Sequence, residues 1–160
     1  VDGKRWSATS NEEIKKDNII TDVDMFEEYW VQSQSAVTLE TKIELLKQAI
    51  ALYRGDILPT ASSEHWLMPH ELAYRYKCIG IYNELLKALF EAGNYAGVQH
   101  YASAALKLDR ANVDAYYWLI RTMKIKDSAV LARGELQLAS HALTDEEYKD
   151  LVERLEKTAP

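Results

Sequence analysis

From Thr21 onward, apolar side chains recur every three or four residues, the spacing of one buried face of an α-helix. Val23, Phe26, Tyr29 and Trp30 make the first such stripe, with Asp22 or Thr21 as its cap. A second helix is predicted after Thr38, with Leu39, Ile43, Leu46, Ile50 and Tyr53 on its inner face and Gly55 closing it in the left-handed conformation. The connector from Asp56 to Ser63 holds Pro59 and small polar residues. A long third helix follows and runs to Ala92, with Pro69 in its first turn, where a missing N–H costs nothing. The fourth helix covers about Tyr95 to Leu108, Asn112 or the residues around it starts a fifth that ends near Lys124, and Asp127 caps a sixth that reaches about His141. Thr144 and Glu147 form a capping box for the last helix, whose stripe is Tyr148, Leu151, Val152 and Leu155. Residues 1–22 lack this period. Lys4 to Thr9 and Asn18 to Thr21 have strand character and predict a short β-ribbon or extended arm.

The turn Gly93-Asn94 separates two of these helices and marks a helical hairpin. With Gly93 as the turn glycine of a repeat of about 34 residues, Tyr82, Leu85, Leu86 and Leu89 face inward from the first helix, and Val98, Ala102 and Ala105 from the second. Small residues on the second helix let the two backbones approach closely. One period later Tyr116, Leu119, Ile120 and Met123 repeat the same positions, but the corresponding turn, Lys126-Asp127-Ser128, lacks the glycine. Short loops make successive helices antiparallel neighbours. The predicted fold is therefore all-α, a tetratricopeptide-like stack of antiparallel helical hairpins with about seven helices and the short N-terminal arm. Such stacks are usually docking surfaces.

Composition narrows the classes of partner. The 160 residues are 48% hydrophobic, enough for a buried core in one domain. A net charge of −6 and a pI near 5.3 argue against nucleic-acid binding by this chain itself, because phosphate neutralisation needs clustered Lys and Arg. The single cysteine, Cys78, forms no internal disulfide and fits a reducing compartment, so the expected location is the cytoplasm. No apolar run approaches the roughly 20 residues that span a bilayer, and no membrane partner is expected. The chain starts at Val1 without an initiator Met, which fits a piece of a longer protein.

The run from Leu45 to Pro59, with Leu-Tyr-Arg-Gly-Asp at Leu52 to Asp56 and then Trp66, resembles a signature of the bacterial transcriptional activation domain found in regulators of antibiotic clusters and in larger multidomain activators. Asp22-Val23-Asp24-Met25-Phe26 is similar to the opening of that family's first helix, and Glu91-Ala92-Gly93-Asn94-Tyr95 to its repeat hairpin. The order and spacing of these motifs carry the likeness, which covers about residues 21 to 157. The resemblance implies residues 21–158 as the helical domain, with residues 1–20 as the linker or remnant of an upstream winged-helix DNA-binding domain. Lys4-Arg5-Trp6 resembles a strand of that upstream domain. It further implies a non-enzymatic role in which the domain supports dimerisation and contacts RNA polymerase, with DNA reached only through the upstream domain. Arg110 departs from the repeat family, which usually has proline there, and Asp127 to Ala142 lacks the arginine-rich hairpin common in actinobacterial members.

On the repeat analogy, the first helices of the hairpins line a concave groove with Asn83, Lys87, Phe90, Asp114, Tyr117, Arg121 and Lys124. Three cations beside amide and aromatic groups suit an acidic peptide or a carboxylate terminus, although the carboxylate clamp of chaperone-binding repeats is not reproduced. The bland alternative is an ordinary solvated face. His65, His70, His100 and His141 lack metal-ligand spacing, and no metal or cofactor is expected. Glycine-rich phosphate loops and nucleophile elbows are missing, and Cys78 reads as a buried structural thiol. Adjacent pairs such as Glu27-Glu28 point about 100° apart on a helix and make no acid–base couple. Ten Tyr and four Trp against two Phe favour interfaces or repeat packing. The expected function is that of an interaction and dimerisation domain in a bacterial transcriptional activator, with RNA polymerase or a second copy as partner. A free-standing adaptor that takes a peptide in its groove is the alternative, and a small-molecule sensor would need Trp66, Tyr74 and Tyr117 to converge.

Overall fold

The computed structural model describes residues 23–53 and 68–158, and every regular element among them is an α-helix. They are α1 (23–34), α2 (Leu39–Tyr53), α3 (Met68–Glu91), α4 (Tyr95–Leu108), α5 (Val113–Ile125), α6 (Ala129–Ala142) and α7 (Asp145–Lys157). The expected N-terminal arm, the Thr21 or Asp22 cap, the closure at Gly55 and the connector with Pro59 lie outside the described residues. The chain divides into two compact units, Val1–Arg75 and Tyr76–Pro160, with the division inside α3.

In the first unit Phe26 of α1 is completely buried. Its ring lies 6.2 Å from that of Tyr53 and meets Tyr74 edge-on at 6.1 Å, so one aromatic side chain joins α1 to both α2 and the start of α3. Ile43, Leu46, Ala49 and Ile50 form the buried face of α2, close to the stripe read from its spacing. Thr38 opens that helix by accepting a hydrogen bond from the Thr41 backbone N–H at 3.2 Å.

The second unit is built on the hairpin pattern. The C-terminus of α3 ends in a Schellman turn: the Asn94 N–H donates to the Leu89 carbonyl at 2.9 Å, the Gly93 N–H donates to the Phe90 carbonyl at 3.0 Å, and Gly93 takes φ +74°. The end of α5 repeats these bonds. Ser128 N–H donates to the Met123 carbonyl at 2.9 Å and Asp127 N–H to the Lys124 carbonyl at 3.1 Å, with Asp127 at φ +59°. The register expected from side chains is thus present in the backbone. The role expected for Asp127 is corrected: the N-cap of α6 is Ser128, and Asp127 stands where the first turn has its glycine. Asp is a good cap by type, but the position demands a left-handed residue, and Asp tolerates that conformation better than most.

Asn94 caps α4 by accepting from the Gly97 N–H at 2.9 Å, Asn112 caps α5 by accepting from Ala115 N–H, and Thr144 and Glu147 complete the predicted capping box of α7. Helix α5 packs on α4, α6 and α7. Its Tyr116, Tyr117 and Ile120 share a core with Ala132 and Ala139 of α6, Leu143, and Leu151 and Leu155 of α7. Tyr82, Leu85 and Leu86 of α3 and their counterparts Tyr116, Leu119 and Ile120 are all buried. Met123 and Tyr148 are only partly buried against that core, and Val152 is half-buried.

The two turns predict substitutions of opposite sign. Gly93→Ala places a Cβ in left-handed backbone and should destabilise the chain by about 1 kcal/mol, whereas Asp127→Gly relieves the same conformation and should stabilise it by a few tenths up to about 1 kcal/mol. Chemical denaturation of both variants checks the signs.

Candidate functional site

The residues expected to line a groove sit on α3 and α5 of the second unit, and the structure divides them into three kinds. Asn83 is a support. Its Oδ1 accepts from Asn112 Nδ2 at 2.8 Å, while Asn112, itself buried, turns its own Oδ1 to the first turn of α5. The Asn83 amide oxygen is therefore committed to holding the start of α5 against α3.

Phe90, Tyr117 and Arg121 are brought together. The Arg121 guanidinium lies 4.4 Å over the centre of the Phe90 ring and 5.4 Å from the rings of Tyr117 and Trp118, and its Nη1 donates to the Tyr117 hydroxyl at 3.2 Å. Phe90 in turn meets Trp118 at 5.1 Å and Tyr95 at 5.5 Å, and Tyr117 meets Trp118 at 4.9 Å. The cause is local. Tyr117 and Arg121 are four residues apart and share one face of α5, and the Schellman turn after α3 returns Tyr95 beside Phe90. A guanidinium seated on electron-rich rings gains electrostatic attraction without a carboxylate partner.

Asp114 extends this cluster through a residue that the linear sequence did not mark. Its Oδ1 accepts from Arg154 Nη1 of α7 at 2.7 Å, and the same Arg154 guanidinium lies 4.3 Å over the Tyr117 ring. Tyr117 is thus flanked by two arginines, one four residues on and the other on a different helix. Arg154 stands between the stripe residues Leu151 and Leu155, and nothing in its sequence neighbourhood points to Asp114 or Tyr117. Trp118 joins the cluster as well, next to Tyr117 in the aromatic run Tyr116-Tyr117-Trp118 that suits an interface. Lys87 and Lys124 are exposed at the margin, where no ion pair among the described residues engages them. Phe90, Trp118, Arg121, Arg154 and Tyr95 are half-buried, so the cluster is partly open to solvent while its centre, Tyr117, is buried.

The remaining candidates stay separate. Tyr74 belongs to the first unit, where it meets Phe26, and Trp66, His65 and the His70 side chain lie outside the described residues. His100 stacks edge-on to Tyr101 at 4.9 Å. No group of three His, Cys, Asp or Glu side chains with metal-binding geometry occurs among the described residues. Cys78 is completely buried, and burial pushes its thiol up to about 12. A thiol held protonated in this way is a packing group and a poor nucleophile. No helix among the described residues is long and apolar enough to cross a membrane.

The sequence profile of the family described as bacterial transcriptional activator domain matches residues 21–147. That span runs from α1 through α6 into the first turn of α7, so it includes Phe90, Tyr117 and Arg121, and Arg154 lies beyond it. No curated protein matches the chain.

Two outcomes follow from this geometry. Asn83→Ala removes the acceptor of a buried amide and should cost about 1–3 kcal/mol, measured by denaturant unfolding. The folded pKa of Cys78 lies above its unfolded value, and Tyr74 and Tyr116 are also raised, chiefly by burial. Unfolding therefore releases protons at alkaline pH, so stability should hold below about pH 9 and fall as pH rises toward 12. Unfolding free energies across that window, compared between the wild type and Cys78→Ala, should show a shallower decline in the variant.

Proposed function

This chain belongs to the family of bacterial transcriptional activator domains, and from that premise we propose that it is the interaction module of a cytoplasmic transcription regulator. The family is a regulatory helical one. In this reading residues 21–158 are the domain, and residues 1–20 link it to a DNA-binding domain through which any DNA contact is made. The working surface is the face carrying Asn83, Lys87, Phe90, Asp114, Tyr117, Arg121 and Lys124, with RNA polymerase or a second copy of the chain as the protein seated on it.

The observation that supports this surface is Arg121, half-buried and stacked on Phe90 at 4.4 Å beside Trp118. Arginine and tryptophan dominate the energetic centres of protein interfaces because they combine large area, a polar tip and little conformational freedom once packed. Here they are already ordered before any partner arrives, which lowers the entropy cost of association. Lys87 and Lys124 at the margin favour an acidic segment on the partner and would act mainly on its rate of arrival. The mechanism is one of tethering: the helical domain joins the DNA-binding domain to the transcription machinery, and pairing of two copies would favour paired half-sites.

Binding to purified RNA polymerase holoenzyme, and self-association by sedimentation equilibrium, should each be measured for the wild type, Arg121→Ala and Lys87→Glu/Lys124→Glu. The expected result is that one of the two associations occurs and that Arg121→Ala weakens it by about tenfold or more with helicity unchanged. Association indifferent to Arg121, or absence of both associations, overturns the proposal.

A further inference from the structure

Helices α4 and α6 each pack on α5, and between them lies an open groove of about 720 Å³ with Tyr116 of α5 in its lining. That volume is typical of small-molecule sites, which run from about 300 to 1,000 Å³. The walls are unequal in character. Leu106 of α4 and Leu138 and Ala142 of α6 supply apolar surface beside the Tyr116 ring, and Leu138 is 58% exposed, an apolar wall with nothing packed over it. Lys107, near the end of α4, and Arg110, just after it, bring two cations to the same groove. Neither is engaged by an ion pair among the described residues.

The repeat register explains why charge collects at one end. Lys107 and His141 occupy equivalent positions of consecutive hairpins, and α4 and α6, each antiparallel to the α5 between them, run in the same direction. Their C-terminal ends, with Lys107, Arg110 and His141, therefore share one edge of the groove. Tyr116 lies within electrostatic reach of Glu135, Arg110 and Asp109; Glu135 is the single carboxylate of the lining, and Asp109, outside it, accepts from the Ala111 N–H. Glu135 is half-buried, and burial raises the pKa of its carboxyl. Two unpaired cations against one carboxylate, above an apolar and aromatic floor, make a site for one negative charge on a hydrophobic body and disfavour a dianion.

We propose that the groove between α4 and α6 binds a small amphipathic monoanion, with its aromatic or aliphatic body on Tyr116, Leu106 and Leu138 and its anionic head on Lys107 and Arg110. The site is distinct from the α3–α5–α7 face and does not depend on that reading. Because the ligand would bridge helices from consecutive hairpins, its binding would also stiffen one hairpin against the next.

Anilinonaphthalene sulfonate has this chemistry, a naphthalene body with one sulfonate, and its fluorescence reports transfer to an apolar site. Titration of the chain with this dye should saturate at one site per chain. Lys107→Ala/Arg110→Ala and Leu138→Ser alter exposed side chains, and each variant should weaken the dye by about tenfold or more, the loss expected for a charge-assisted bond or for buried apolar area, with the melting temperature unchanged. The uncharged analogue phenylnaphthylamine should bind the wild type about tenfold more weakly than the sulfonate and be indifferent to the cation variants. Saturable binding that neither set of variants changes, equal binding of the charged and uncharged dyes, or no saturable binding overturns the proposal.

Discussion

The second unit depends on one side chain. Asn112 starts α5 by accepting from the Ala115 N–H and in the same position donates one amide N–H to Asn83 of α3, so a helix cap and an inter-helix tie are a single group. It does this while buried, where each unmade hydrogen bond would carry the full cost of desolvation. Once α5 is held at its start, α4, α6 and α7 have the surface on which they pack. The core shared by α5, α6 and α7 and the arginine–aromatic cluster then follow from where α5 lies. Only Thr122 breaks the economy of this helix, since its hydroxyl is buried without a partner.

The backbone repeats more faithfully than the side chains do. Gly93 and Asp127 sit at equivalent turns with the same pair of hydrogen bonds, although one residue has no Cβ and the other has a carboxylate. Side chains diverge where the backbone does not constrain them. At the second helices, buried Ala102 has partly buried Leu136 as its counterpart, and Lys107 has His141. This freedom lets one scaffold carry two different surfaces. The α3–α5–α7 side gathers arginines onto rings, and the α4–α6 side leaves an amphipathic groove with unpaired cations. A regulatory module that holds one partner on the first face would have the second free for a smaller molecule.

What the linear chain disclosed was whatever is settled within about one helical turn. The limits of α4, the capping box of Thr144 and Glu147, the start of α5 at Asn112 and the buried stripe of α2 were all legible, because caps and periodic burial are local physics. The membership of residues 21–147 in a regulatory family was legible too, from motifs in a fixed order. Asp127 was misread because its type suits a cap, and only the backbone reveals that the site requires positive φ.

Tertiary structure decided everything that joins residues far apart in the chain. Asp114 and Arg154 are forty residues apart and carry no shared period, so their bond and the second arginine over Tyr117 follow only from the packing of α7 on α5. The groove beside Tyr116 is likewise a gap between two helices, and a gap has no residues of its own to read. By itself the sequence determined which stretches are helical, where they begin and which face each must bury, since those depend on dihedral preference and hydrophobic period. Which polar side chains meet on the outer faces was left to the packing of the helices, because that depends on distances between elements that no local pattern encodes.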